Sequence, residues 1–283
     1  MFEGKPLAGQ TAVITGGGTG LGRSMALRFA ELGAKVAITS RKQENLEATL
    51  QEITALGGTG LAVGCDVRDY AQVEAMVKTV ADQLGPIQIL VNNAAGNFLA
   101  PSEMLSPNAF NSVVSIVLNG TFHCTSAVGK HMIANESGGR ILNIVTTYAW
   151  MGSAFVLPSA CAKAGVLAMT RSLAVEWGKY KIWVNAIAPG PFPTPGAWER
   201  LMPDKALEEE AKKRIPSGRF GEHIELANLA SYLVSNYSDY INGECVVIDG
   251  GEWLMGGEFN HLTTLPWERL AELAAKIRPP KKS

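Results

Sequence analysis

The chain reads as a doubly wound α/β domain on a seven-stranded parallel sheet, one domain spanning residues 1–283. Three observations predict it. Short, nearly continuous apolar runs rich in β-branched residues alternate with longer amphipathic stretches, as in a parallel sheet covered by helices on both faces. The first such run feeds a glycine-rich turn that opens a helix. No repeat, low-complexity tract or linker breaks the order, and 283 residues with 47% hydrophobic content can bury one large core.

The elements follow in order. Thr11–Thr15, Lys35–Ser40, Leu61–Cys65, Ile87–Val91, Arg140–Val145, Ile182–Ile187 and Cys245–Ile248 carry the strand pattern. Between them, helical periodicity predicts Gly20–Leu32, Gln43–Leu56, Tyr70–Leu84, one long helix over Pro107–Ile133, then Ser159–Trp177 and Ile224–Ser235. The segment Gly190–Phe220 leaves the carboxyl edge of the sheet, where such folds bind ligands, and is expected to be a substrate loop or lid. Its helix sets Glu208, Glu209 and Glu210 against Lys212, Lys213 and Arg214 at i,i+4, the pattern of a solvated face. The extension Gly251–Ser283 ends in a helix over Pro266–Ile277, expected to cover the site or a neighbouring subunit.

Composition excludes several classes. The net charge is −1 and basic runs such as the tail Lys281-Lys282 are short, which argues against nucleic acid or anionic membrane as partner. No apolar run approaches the roughly 18 residues a membrane helix needs, and Met1–Gln10 has no apolar signal-peptide core. Four cysteines without CxxC spacing suit a reduced, cytoplasmic protein. The histidines 123, 131, 223 and 261 form no ligand-spaced cluster, so no metal site is expected.

The turn Thr15-Gly16-Gly17-Gly18-Thr19-Gly20-Leu21-Gly22 follows a strand and opens a helix. Its glycines let the backbone approach a pyrophosphate seated on the helix N-terminus, which predicts dinucleotide binding. The second strand ends in Thr39-Ser40-Arg41-Lys42. A carboxylate there would hold a ribose 2′-OH, whereas a hydroxyl followed by Arg41 and Lys42 suits a 2′-phosphate and predicts NADP(H).

The spacing Gly-x-x-x-Gly-x-Gly resembles the short-chain dehydrogenase/reductase family, and further matches carry that resemblance along the chain. It implies that Asp66 and Val67 meet adenine, that Asn93 and Ala94 line the cofactor cleft, and that Asn119 belongs to the catalytic region. It also implies that Pro189, Gly190, Pro191 and Thr194 hold the nicotinamide carboxamide. The family's usual catalytic set is serine, tyrosine thirteen residues on, and lysine four further. Counting back from Lys163 puts Ser159 at the tyrosine position and Thr146 at the serine position. A serine hydroxyl is too weak an acid to protonate an alkoxide, so simple ketone reduction loses its support. The family's enoyl-thioester variant, with tyrosine seven residues before lysine, has Val156 there instead.

The runs Asn92–Phe98, Leu105–Ala109, Pro158–Gly165, Glu176–Tyr180 and Gly257–Asn260, together with Tyr148, resemble the NADPH-dependent 2,4-dienoyl-CoA reductases. The resemblance implies that Asn97 and Tyr148 hydrogen-bond the thioester carbonyl, that Ser159 and Lys163 support catalysis and the cofactor, and that the subunits form a homotetramer. Hydride added to the far end of a conjugated dienoyl thioester leaves charge on the thioester oxygen, where two neutral donors make an oxyanion hole. The alternatives are another reductase of enoyl- or 3-oxoacyl-thioesters or ketones, and a non-catalytic NADP-binding regulator.

Overall fold

A computed structural model describes residues 4–194, 198 and 204–277. Residues 195–197 and 199–203 of the expected substrate loop, and the Lys281-Lys282 tail, lie outside the described residues. Seven parallel strands form one sheet in the order β3-β2-β1-β4-β5-β6-β7. They are β1 (Thr11–Thr15), β2 (Lys35–Ser40), β3 (Thr59–Gly64), β4 (Ile87–Asn92), β5 (Gly139–Ile144), β6 (Ile182–Pro189) and β7 (Cys245–Ile248). The order reverses between β1 and β4, so the connections leave to opposite faces and open a crevice at the carboxyl edge.

Strands buried on both faces must be apolar at every position. Successive residues then serve two cores: Ala12, Ile14, Val36, Ile38, Ile89 and Val91 pack on one side, and Val13, Ala37 and Leu90 on the other. The first side is covered by α1 (Gly20–Glu31) through Met25 and Phe29, and α2 (Gln43–Ala55) through Leu46 and Ile53. The second is covered by α3 (Tyr70–Leu84) through Val73, Met76 and Val80.

The stretch expected as one helix over Pro107–Ile133 is instead α4 (Pro107–Val114), a π turn at Ser115–Asn119 and α5 (Gly120–Ala134). Nothing in the hydrophobic periodicity marks that break, since Val113 and Val117 keep helical spacing and both are buried. A four-residue helix, α6 (Tyr148–Met151), follows β5, and α7 (Leu157–Trp177) supplies the long helix read as Ser159–Trp177. After β6 come α8 (Lys205–Lys213) and α9 (His223–Leu233); α10 (Trp267–Ile277) ends the described chain. On α8, Lys212 reaches Glu208 at 3.3 Å, but its 2.7 Å pair with Glu209 and the 2.6 Å Lys213–Glu210 pair are at i,i+3, not the expected i,i+4. The extension begins by packing back on the domain: the Trp253 ring meets Trp150 of α6 edge-on, 5.8 Å between centroids. No helix among the described residues is long and apolar enough to cross a membrane.

Candidate active site

The crevice is a cleft of about 670 Å³ lined by Gly16, Gly18, Thr19, Gly20, Leu21, Thr39, Ser40, Arg41, Lys42, Asn45, Cys65, Asp66, Val67, Asn93, Ala94, Ala95, Ile116 and Thr194. Glycine is required at its floor. Gly16 has φ +66°, and a Cβ on Gly22 would stand 2.2 Å from the Gly16 carbonyl oxygen. Gly22 thus closes the loop on itself behind the cleft rather than lining it.

One hydroxyl stitches the crevice shut at its base. Thr15 Oγ1 accepts from the backbone N–H of Asn93 (3.0 Å) and of Ala94 (2.9 Å), joining the ends of β1 and β4. The Asn93 side chain donates to the carbonyls of Thr15 (2.9 Å) and Gly16 (3.3 Å). Its amide group is therefore committed to shaping the glycine loop, and the part of it left for a ligand is the rim it presents to the cleft.

At the far end, Arg41 and Lys42 are exposed and face the cleft beside Ser40. Arg68 donates to both carboxylate oxygens of Asp66 (2.9 and 3.0 Å). That bond, with a smaller pull from Arg41, holds the Asp66 carboxyl below its usual range. A floor with no side chain, an open helix N-terminus and two cations beyond it fit a phosphorylated dinucleotide. Pro189, Gly190 and Pro191 are not among the residues lining the cleft; Gly190 N–H donates to Ile248 (2.9 Å) and the Pro191 carbonyl accepts from Gly221 (3.0 Å). Thr194 alone of that group lines it.

The second half of the site sits at the end of β5. Helix α7 buries Ser159, Ala162, Lys163, Val166 and Thr170, spaced three and four apart, on one face. Ser159 and Lys163 are thereby fixed one turn apart. Tyr148, the first residue of α6, brings its hydroxyl to 3.0 Å from Ser159 Oγ. Lys163 is 5% exposed and donates to the Ile144 carbonyl; burial lowers its pKa to about 8. The loop after β4 runs alongside, its Ala100 N–H donating to the Phe155 carbonyl (2.9 Å). In that loop Asn97 Oδ1 accepts from the Phe98 N–H (2.9 Å), which leaves the Asn97 NH₂ as a free donor. Thr146 Oγ1 is buried without a partner, an open hydroxyl two residues from Tyr148.

Asn119 is not brought to this group. It is exposed and lines a separate polar depression with Asp66, Arg68, Asp69 and Gln72. The π turn is the reason: Val117 of that turn packs in one apolar cluster with Ala162 and Val166 of α7, and Leu118 meets Gly165, which turns Asn119 outward.

Thr39, Asn45, Cys65, Ala95 and Ile116 line the cleft without having been singled out from sequence. Thr39 and Cys65 could have been found as residues at strand ends; Ile116 belongs to the π turn and carries no sequence signal. A buried amide chain also went unread. Asn92 Nδ2 donates to Thr125 Oγ1 (2.9 Å) and Asn143 Oδ1 (2.8 Å), and Asn143 Nδ2 donates to Thr170 Oγ1 (2.9 Å), tying β4 and β5 to the helix that carries Lys163. Among the described residues, no group of three or more His, Cys, Asp or Glu side chains could hold a metal ion.

Comparison with known proteins agrees with the fold. The family model described as enoyl-(acyl carrier protein) reductase matches residues 16–252. A probable 2,4-dienoyl-CoA reductase of Bacillus subtilis (strain 168) is 46% identical over 246 residues, 87% of this chain and 97% of the relative. The crystal structure of a short chain dehydrogenase from Bacillus anthracis superposes with a TM-score of 0.80 at 46% identity, covering 91% of this chain and 99% of that one. A gluconate 5-dehydrogenase from Burkholderia cenocepacia in complex with NADP and tartrate gives a TM-score of 0.82 at 33% identity over 87% of this chain and 96% of that one. The chain is an oxidoreductase of the short-chain dehydrogenase/reductase family.

Proposed function

We propose that this protein uses NADPH to reduce 2,4-dienoyl-CoA thioesters to enoyl-CoA, a step in the β-oxidation of unsaturated fatty acids. The observation that carries the reading is the 3.0 Å contact between the Tyr148 hydroxyl and Ser159 Oγ. The serine stands where the family's tyrosine is expected, and a phenol from α6 comes to it instead. NADPH, when bound, supplies the hydride; Arg41 and Lys42 would hold its 2′-phosphate, the glycine loop its pyrophosphate, and Lys163 its nicotinamide ribose. Four unpaired cysteines fit a reducing cytoplasm. The Bacillus subtilis relative supports an acyl-CoA substrate.

The chain's own residues then have distinct roles. Tyr148 and Asn97 donate to the thioester oxygen as it gains charge, each worth about 10²–10³ in rate. Ser159, within reach of the phenol oxygen, orients it toward the substrate. Lys163 places a positive charge beneath the site without acting as the acid. Solvent protonates the dienolate at C2 or C4, not at the C5 that takes the hydride, so no strong acid is needed beside the hydride acceptor.

NADPH oxidation followed in parallel with a dienoyl-CoA, an enoyl-CoA and a 3-oxoacyl-CoA tests the substrate class; the dienoyl thioester should be preferred. Tyr148→Phe and Asn97→Ala should each lower kcat about 10²–10³-fold with little change in NADPH affinity. Near-normal kcat in both variants ends the assignment. The competing reading, reduction of an enoyl or 3-oxoacyl thioester, predicts faster turnover of those substrates than of the dienoyl-CoA.

A further inference from the structure

His223 is the first residue of α9, and its ring bridges α1 and the segment after β6. Nε2 lies 2.7 Å from the Pro193 carbonyl oxygen and Nδ1 lies 3.0 Å from Ser24 Oγ. A carbonyl can only accept, so Nε2 carries a proton and Nδ1 shares a hydrogen bond with the serine hydroxyl. Ser24 belongs to α1, the helix whose N-terminus closes the glycine loop, and its Oγ lies 3.1 Å from the Gly20 carbonyl, which competes with Nδ1 for its single proton. Pro193 precedes Thr194, which lines the cleft and whose Cγ2 stands 3.1 Å from where a Cβ on Gly20 would be.

Beyond the buried Phe192 side chain, the segment after β6 has few hydrogen-bond anchors. Prolines at 189, 191 and 193 remove every second N–H, and a carbonyl with no donor opposite it leaves the chain free to lift. Gly190 is fastened to β7 through Ile248, and Pro191 to Gly221. Two residues on, the Pro193 carbonyl is held by the His223 ring. The bond therefore sets how far Thr194 stands above the first turn of α1.

We propose that His223 is a positioning residue for the cofactor: with Ser24 it latches the Pro193-Thr194 segment onto α1 and so fixes the nicotinamide-side wall of the cleft. The proposal rests on the reading of this cleft as an NADPH site. It separates the two ends of the ligand, because Arg41, Lys42 and Asp66 lie at the other end and do not touch the latch.

The test measures Kd for NADPH and for adenosine 2′,5′-bisphosphate, which carries the adenosine and 2′-phosphate but no nicotinamide half. His223→Leu and Ser24→Ala should each weaken NADPH about three- to tenfold, the loss of one hydrogen bond, and leave the bisphosphate unchanged. The double variant should be no weaker than His223→Leu, since both changes open one latch. His223→Gln, whose amide can donate to Pro193, should recover most of the NADPH affinity. Unchanged NADPH binding in both single variants overturns the proposal, as does an equal loss of both ligands or additive losses in the double variant. These readouts involve no acyl thioester, so a wild-type protein that binds NADPH and ignores dienoyl-CoA would sink the substrate assignment and leave the latch measurement valid.

Discussion

Lys163 offers a test in which stability and activity should move in opposite directions. Its ammonium is buried, donates to one carbonyl, and titrates near 8 in place of 10.5 because burial penalises the charged form. In the unfolded chain the same lysine is hydrated and stays protonated to higher pH. At pH 7, with about 1.4 kcal/mol per pH decade, the folded protein carries a penalty of about 3 kcal/mol. Lys163→Met keeps the length of the side chain, removes the charge and forgoes one hydrogen bond of about 1 kcal/mol. In the absence of nucleotide the variant should therefore be about 2 kcal/mol more stable at pH 7, a Tm roughly 3 °C higher for a chain of this size, while losing turnover. Between pH 8 and 10.5 the unfolded wild-type chain binds the extra proton, so wild-type stability rises relative to the variant and the gap closes by about pH 10. Thermal and urea melts of both proteins at pH 7, 8, 9 and 10 check this. A variant less stable than wild type at pH 7, or a gap independent of pH, refutes the assignment of a buried cation.

Three further outcomes are expected. Arg41→Ala should lower the NADPH/NADH ratio of kcat/KM by about ten- to a hundredfold, the range for a charge-assisted bond to phosphate; steady-state kinetics with both nucleotides measure it. Asn143→Leu should cost about 2–3 kcal/mol in urea unfolding, because it strands the Asn92 amide in the core and unties β5 from Thr170. Phe155 holds φ +66° at the rim of the site with 56% of its surface exposed, so Phe155→Gly should leave stability unchanged or raise it by up to about 1 kcal/mol, and Phe155→Val should lower it by about that much.

Much of the fold was legible because parallel strands buried on both faces leave an unmistakable trace: Thr11–Thr15, Lys35–Ser40 and Cys245–Ile248 are observed at the bounds the apolar runs suggest. β3 was placed two residues late because Thr59 and Gly60 lack the bulk that marks a strand. The π turn at Ser115–Asn119 was invisible, since it inserts no proline and breaks no apolar period, and it is the reason Asn119 faces outward while Val117 faces α7. The glycine loop is readable from spacing alone and Asn93 lines the cleft as expected, but its bracing bonds to Thr15 and Gly16 depend on β1 and β4 being neighbours, which no local pattern encodes. The pairing of Tyr148 with Ser159 is of the same kind. Each residue could be noticed in the sequence, but their contact exists because α6 folds back onto α7.

That contact has a consequence for how such a site can change. The hydroxyl beside Ser159 is delivered by a helix of four residues that Gly152, at φ +74°, ends abruptly. The lysine is delivered by a helix of twenty-one residues anchored through Thr170 to the sheet. Reagents supplied by separate pieces of chain can be exchanged separately. A reductase can trade the proton donor of one reaction for the oxyanion donor of another by altering α6 and one position of α7, with the nucleotide half of the molecule untouched. Chemistry in this architecture is modular at the scale of a single helical turn.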